Sequence, residues 1–455
     1  MQYYRPIEPH LFVGDCMPFW HDGVFHLYYL IDEGHHAALG GLGGHQWGHA
    51  SSTDLVQWTQ LPLALPISQD WEGSICTGSM LFHEGVYHAF YATRTRERKE
   101  HLSLARSPDG VHFEKTLPNP FFVQPQGYDP RHFRDPVVFR DESNGRFHLL
   151  ASAWLENHAL TTRAGCLAHL ESADLTHWEL REPFLLPGLP GVPECADYFR
   201  WGDWYYLLFS NGGVARYRMS RGPFGPWQRP PADTFEGATA RVMKTAAFGH
   251  DRRLGVSWLP WRQDNKDRGG LMFGGNAVFR EIVQESDGTL YATWPREMVP
   301  ATGPLVPLTV SLRTAVAEAT PTAVTLHESD GLEVAQLSGV PVDALIHLSV
   351  RHEAGYGAFG LRLRAGESFD SGYELRFSPV DRSVQFGDAV TRPAEVCGTA
   401  MDVKIAMRGS VIDVCVDDWH CLIDRCPEQH GTRLTLFALN ADVAFDRLEV
   451  RPLQP

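Results

Sequence analysis

No run of about 18 apolar residues, the least a membrane-spanning helix needs, occurs in this chain. Its first residues, MQYYRPIEPH, hold neither a basic segment nor an apolar core, so no secretory leader is expected there. Basic residues are in short supply: 40 Lys and Arg stand against 55 Asp and Glu, a formal net charge of −15. Such a surface repels phosphate backbones and anionic lipid, so neither nucleic acid nor membrane is an expected partner. It fits a soluble enzyme with a neutral or cationic ligand. Cysteine is sparse too. The eight, at positions 16, 76, 166, 195, 397, 415, 421 and 426, follow no zinc spacing and are expected to be reduced, structural thiols of a cytoplasmic protein. A long amphipathic helical pattern is also missing, so the chain is read as all-β.

What is present is a repeat. A glycine or turn precedes an aromatic-rich strand four times, as Gly23 with VFHLYYL, Gly85 with VYHAFYA, Gly145 with RFHLLAS and Gly202 with DWYYLLFS; these starts lie 62, 60 and 57 residues apart. A fifth, weaker copy is Arg253 with LGVSWL. A turn ending on an aromatic residue follows each of the first four: Ser52 to Trp58, Ser107 to Phe113, Ser172 to Trp178 and, degraded, Ser220 to Trp227. Short alternating aromatic and β-branched segments are strands, and Ser-x-Asp makes a tight turn because the Asp side chain bonds its own backbone. Asp54, Asp109 and Asp174 are therefore read as turn formers, since a single reaction centre has no use for the same acid three times. The closing aromatics are expected to pack between neighbouring sheets. Five such units over residues 1–298 predict a five-bladed β-propeller.

Near Val299 the repeat stops. The stretch PATGPLVPLTV, with prolines at 300, 304 and 307, reads as a linker over residues 299–306. Alternating runs such as LIHLSVRHE and FGLRLRAGE then predict a β-sandwich over residues 307–455. That part offers no catalytic constellation: its acids, including Asp413, Asp417 and Asp418, read as scattered on turns.

Three carboxylates stand out of the repeat. Arg134-Asp135-Pro136 is followed 58 residues later by Glu194-Cys195, and Asp15 lies in Gly14-Asp15-Cys16-Met17-Pro18. Each sits shortly before the aromatic strand of its unit, at an equivalent place. The innermost strands of a propeller converge on its axis, so the three are expected to meet there rather than to serve as unrelated capping or ion-paired acids. Cleavage of a glycosidic bond needs this equipment: one carboxyl group to give a proton and another that stays anionic. Glu194, near Val192, Pro193, Tyr198 and Phe199, is expected to be held protonated by apolar surroundings and to act as donor. Asp135, beside Arg134, would stay ionised and bind sugar hydroxyls. Asp15 would attack the anomeric carbon.

These motifs resemble glycoside hydrolase family 32, the invertase, inulinase and levanase family, over nearly the whole chain. The family's arginine-aspartate-proline motif matches Arg134-Asp135-Pro136, and its glutamate-cysteine motif matches Glu194-Cys195 and runs on to Asp197. Its tryptophan-glycine-histidine-alanine segment matches Trp47-Gly48-His49-Ala50, and its serine-rich loop resembles Thr77-Gly78-Ser79. The resemblance implies a five-bladed propeller followed by a sandwich, and retaining hydrolysis or transfer of a terminal furanosyl unit, most readily a β-fructofuranoside. Asp15 would be nucleophile, Asp135 stabiliser and Glu194 acid/base, with Trp47, Thr77 and Arg134 lining the sugar pocket and Trp71 and Trp258 as further candidates. No metal or organic cofactor is implied. Two departures bear on the substrate: Gly14-Asp15-Cys16-Met17-Pro18 replaces asparagine-aspartate-proline-asparagine-glycine, and Leu30 stands where the family tends to carry glutamine. Residues 31–46, rich in Gly and His, read as a mobile loop able to rebuild that side of the pocket rather than as a metal site. An inverting arabinofuranosidase or xylosidase like those of family 43, a fructosyltransferase and a non-catalytic carbohydrate-binding propeller are the alternative readings.

Overall fold

The computed structural model describes residues 3–33, 44–327, 331–353, 357–391 and 399–454. Most of the Gly/His-rich segment, residues 34–43, and Cys397 lie outside these. Among the described residues the chain is all-β, its only helical pieces being short 3-10 turns at Gln263–Asn265 and Arg296–Met298.

The first region runs through twenty antiparallel strands in chain order. The first unit is β1 (Leu11–His21), β2 (Val24–Glu33), β3 (Gln46–Ser52) and β4 (Thr59–Leu65). The second is β5 (Glu72–His83), β6 (Val86–Thr95) and β7 (Glu100–Ser107), edged by short β8 (Glu114–Lys115) and β9 (Phe122–Val123). The third is β10 (Tyr128–Arg140), β11 (Phe147–Leu155), β12 (Gly165–Ser172) and β13 (Trp178–Leu185). The fourth is β14 (Glu194–Trp201), β15 (Trp204–Asn211) and β16 (Val214–Ser220); the fifth is β17 (Arg241–Phe248), β18 (Arg252–Arg262), β19 (Leu271–Gln284) and β20 (Leu290–Thr293). A pairing of Val13 with Gly275 joins β1 to β19, so the first and last units share one eight-stranded sheet.

The repeated sequence features have repeated physical jobs. Asp22-Gly23 and Glu84-Gly85 both take positive φ at both residues, as a two-residue hairpin turn between twisted strands requires. In the Ser-x-Asp turns, Asp54 Oδ1 accepts from the amides of Val56 and Gln57, Asp109 Oδ1 from Val111 and His112, and Asp174 Oδ1 from Thr176 and His177. The closing aromatics reach back to the preceding unit. Phe113 meets Tyr28 edge-on, Trp178 meets Phe90, and Trp227 lies 5.8 Å from Phe184. Trp58 of the first unit packs at 5.1 Å on Phe279 of the fifth.

The C-terminal region forms two seven-stranded sheets around one apolar core that includes Ile346, Leu361, Phe377 and Ile405. Two expectations change here. Residues 299–306 are not a free tether: Thr302 bridges Leu453, and the amides of Gly303 and Val306 donate to the carbonyls of Pro452 and Val450. The prolines there lack amides of their own, but the residues between them can pair. Asp413 is not on a turn but in the strand Val411–Val416, fully buried, where it takes Arg280, Tyr3 and Trp294 from the first region. Asp424 likewise pairs with Arg262 at 2.9 Å. Buried charges need such partners, and here they join the sandwich to the fifth unit.

Candidate active site

The first strand of each of the five units carries the same defect. Along β1, β5, β10, β14 and β17 two residues oppose one on the neighbouring strand: Gly14 and Asp15, Cys76 and Thr77, Asp135 and Pro136, Cys195 and Ala196, Val242 and Met243. A bulge bends its strand and re-aims the side chains around it. Asp135, Cys195 and Val242, at equivalent places, have φ of 55°, 51° and 58°, a conformation costing about 1–3 kcal/mol in non-glycine residues and found chiefly at functional sites. The bulges point their residues into one open cavity of about 910 Å³.

The three acids line this cavity. They come from three successive places of the bulge: Glu194 just before it, Asp135 first in it and Asp15 second in it. The equivalence expected from the repeat thus holds to within one residue either way.

Asp15 is anchored by its neighbours. Thr77 Oγ1 donates to Oδ2 at 2.7 Å, Trp258 Nε1 donates to Oδ1 at 2.9 Å, and the Cys195 thiol lies 3.7 Å from Oδ2. Burial raises its pKa, with repulsion from Asp135 and Glu194 adding to this and the two hydrogen bonds opposing it; the outcome is about 6. Asp135 is 2% exposed and accepts from Ser152 Oγ at 3.2 Å and from the Cys195 amide at 3.1 Å. Burial, then the charges of Asp135 and Asp15, push the Cys195 thiol well up, so it stays neutral.

Glu194 is placed differently from the expectation. Its side chain is 34% exposed and its Oε1 accepts from Arg134 at 2.6 Å. Tyr198 stacks on Phe139 and Phe199 on Tyr206, both away from the carboxylate. The bulge after Glu194 reverses the alternation of faces along β14, so closeness in sequence did not become an apolar wall.

Of the expected sugar-binding residues, Thr77, Arg134 and Trp258 line the cavity. Trp47 does not. It is fully buried between Tyr28 and Tyr91, and its Nε1 donates to the Cys76 carbonyl at 2.9 Å, bracing the bulge that carries Thr77. Trp71 is half-buried just before β5 and also lies off the cavity wall. Sequence reasoning missed Glu100 and Arg241. Glu100 is buried at the start of β7 and bridges Arg94, Arg134 and the Phe133 amide. Arg241 opens β17, where the weak fifth repeat gave no motif to find it.

The two sequence departures meet in one wall. Leu30 is the residue opposite the first bulge. A Cβ on Gly14 would come within about 2.5 Å of the Phe273 ring and 3.3 Å of Leu30 Cβ. Phe273 also packs on Trp258 and His45, each 4.8 Å away between ring centres. This side of the cavity is apolar and aromatic where the resemblance leads one to expect amides. Among the described residues no group of three or more His, Cys, Asp or Glu is placed to hold a metal ion.

Comparison with known proteins agrees with this layout. Residues 16–223 match the model of the glycosyl hydrolases family 32 N-terminal domain, beginning one residue after Asp15. Raffinose invertase of Escherichia coli is 26% identical over 462 residues, covering 92% of this chain and 88% of that protein. The rice (Oryza sativa subsp. indica) beta-fructofuranosidase insoluble isoenzyme 7 is 28% identical over 62% of this chain, which spans only 52% of the rice protein. The fold is that of fructan 1-exohydrolase IIa from Cichorium intybus, with a TM-score of 0.70 at 17% identity over 99% of this chain and 97% of that one. Exo-inulinase from Aspergillus awamori gives the same TM-score at 15% identity, over 100% and 98%. Residues 16–223 thus resemble the N-terminal domain of glycoside hydrolase family 32, and the chain as a whole shares the fold of these structures.

Proposed function

We propose that this protein hydrolyses terminal β-fructofuranosides with retention of configuration, its site lying on the axis of a five-bladed β-propeller whose blades are the five units of residues 1–298. The observation that carries this is the alignment of the five bulges, which sends Asp15, Asp135 and Glu194 into one cavity. The names of the relatives, an invertase and a beta-fructofuranosidase among them, support the substrate class.

In the first step an Asp15 oxygen forms a bond to the anomeric carbon as the bond to the leaving oxygen breaks. That oxygen keeps the bonding electrons and takes the proton of Glu194. In the second, water adds to the anomeric carbon, the ester to Asp15 breaks, and Glu194 recovers a proton from the water. Asp135, held by Ser152 and the Cys195 amide, accepts from sugar hydroxyls as positive charge grows on the ring. Arg134, bridging Glu100 and Glu194, sets the direction of the Glu194 carboxyl group.

The test is a panel of sucrose, raffinose, inulin and levan oligosaccharides with the products followed by proton NMR. Fructose released first as the β-furanose supports the reading. Release of the α anomer, release of xylose or arabinose from their own glycosides instead, or tight oligosaccharide binding without turnover would overturn it.

A further inference from the structure

Behind Trp258 lies a buried chain of polar contacts that the proposed chemistry does not use. Asp413 of the sandwich accepts from both terminal nitrogens of Arg280, at 3.0 and 3.1 Å, and both residues are fully buried. Arg280, on β19, donates from Nε to Glu236 Oε2 at 2.9 Å. The other oxygen of Glu236 accepts from the Ser257 hydroxyl at 2.9 Å. Ser257 is the residue before Trp258 on β18, and the Trp258 indole donates to Asp15. The Ser257 carbonyl also accepts from the thiol of Cys16, the residue after Asp15, at 3.8 Å.

Stability alone is a poor reason for such a chain. Glu236, Arg280 and Asp413 are all taken out of water, and apolar residues of similar volume often hold a core as well or better. Burial raises the Glu236 pKa and the Arg280 charge opposes that rise, so the guanidinium held by Asp413 helps keep Glu236 anionic. An anionic acceptor grips a hydroxyl more firmly than a neutral one does. Successive residues of a strand face opposite ways, so Ser257 turns to Glu236 while Trp258 lines the cavity. Holding the first therefore fixes the second. Cys16 adds a tie that proline, its counterpart in the family motif, could not make.

We propose that Glu236 and Ser257 are positioning residues for Asp15: held through Arg280 by Asp413 of the sandwich, they fix the stretch of β18 that presents the Trp258 indole. This rests on the furanosidase reading for the role of Asp15. It gives the sandwich, which has no catalytic constellation of its own, a part in setting the nucleophile.

Two readouts test this: steady-state kinetics on sucrose, and the indole N–H resonance of Trp258 in full-length protein carrying isotope-labelled tryptophan, assigned by its loss in Trp258→Phe. Ser257→Ala leaves the Glu236, Arg280 and Asp413 pairing in place. It should lower kcat about 10- to 100-fold, the cost of a small misplacement, with KM changed less than about twofold. Its Trp258 indole proton should move upfield as the bond to Asp15 loosens. Glu236→Gln should do the same. Tyr373→Phe removes a different bond between the two regions, the one to Asp267, and should change neither readout. An unaltered kcat and an unmoved resonance in Ser257→Ala overturn the proposal. So does an equal loss in Tyr373→Phe, which would mark a general effect of domain contact. Should Ser257→Ala not fold, Glu236→Gln decides by the same readouts, and failure of both to fold overturns the proposal in favour of a structural role. In a protein that cleaves no fructoside the resonance decides alone: a shift in Ser257→Ala supports the tie to Asp15 while the furanosidase reading falls.

Discussion

The backbone amide of Cys195 donates to Asp135 Oδ2 at 3.1 Å, so the bulge of the fourth unit supports the carboxylate of the third. The same residue's thiol stands 3.7 Å from Asp15. Cys195 thereby touches two of the acids while standing next in sequence to the third. The charges of Asp135 and Glu194 both act on Asp15, adding to the rise in its pKa that burial causes.

A pH profile exposes this coupling. In the proposed mechanism Asp15 must be ionised to attack, and burial and then the Asp135 charge raise its pKa to about 6. kcat/KM is expected to fall below about pH 6. Removing the negative charge in Asp135→Asn lowers the Asp15 pKa, so the acid limb of the residual activity should move to lower pH by several tenths of a unit or more. A limb that stays in place or moves up would show that Asp15 is not the group being followed.

On the proposed mechanism, Glu194→Gln removes the proton donor without changing shape. Activity on sucrose should drop roughly 10²- to 10⁴-fold, the usual worth of general acid catalysis. The loss should shrink for a nitrophenyl fructoside, whose leaving group departs without a proton. Equal losses on both substrates would assign Glu194 another role.

The crowding of Gly14 by Phe273 can be tested by exchange. Gly14→Asn restores the amide of the family motif but drives a side chain into the Phe273 ring, an overpacking expected to cost about 1–3 kcal/mol of stability. The double variant Gly14→Asn with Phe273→Ala should recover stability relative to Gly14→Asn alone. Additive destabilisation in a thermal or denaturant melt would mean the two positions do not share that space.

Buried histidine pairs predict acid sensitivity away from the site. His26 Nδ1 lies 3.0 Å from His49 Nε2, and burial, followed by the charge of His21 for His26 and of His26 for His49, lowers their pKa values to about 4 and about 3. Unfolded histidine takes up its proton near pH 6.5, whereas these folded ones resist. Stability from the pair is therefore complete above about pH 6.5 and declines as pH falls from there toward 4, by roughly 1–3 kcal/mol after allowance for solvent screening. The melting temperature of His49→Gln should show a shallower decline over that interval than the wild type's.

Much of the fold was legible because the repeat is. Strand-turn-strand units with Ser-x-Asp turns are local features, and Asp54, Asp109 and Asp174 do what short-range chemistry requires of them. Asp15, Asp135 and Glu194 were legible through their phase within that repeat. What was hidden depends on register. Whether a side chain faces the cavity or the core turns on the bulge, and one residue of slip reverses it. Trp47 matches a family motif yet works from the core, Glu194 gained an arginine instead of an apolar pocket, and Arg241 lay in the copy whose repeat had decayed.

The bridge from Val13 to Gly275 and the packing of Trp58 on Phe279 have a consequence for biosynthesis. The strand holding Asp15 pairs at once with the strand that follows it, but gains its second neighbour only when β19 of the fifth unit has been made. Until then its unit has an open edge, the kind of surface that chaperones cover and that aggregates when left bare. Trp258, the indole that hydrogen-bonds Asp15, arrives equally late. A nascent chain stalled before the fifth unit would carry all three acids and still lack the indole that anchors Asp15, because the fifth unit completes the setting of the first.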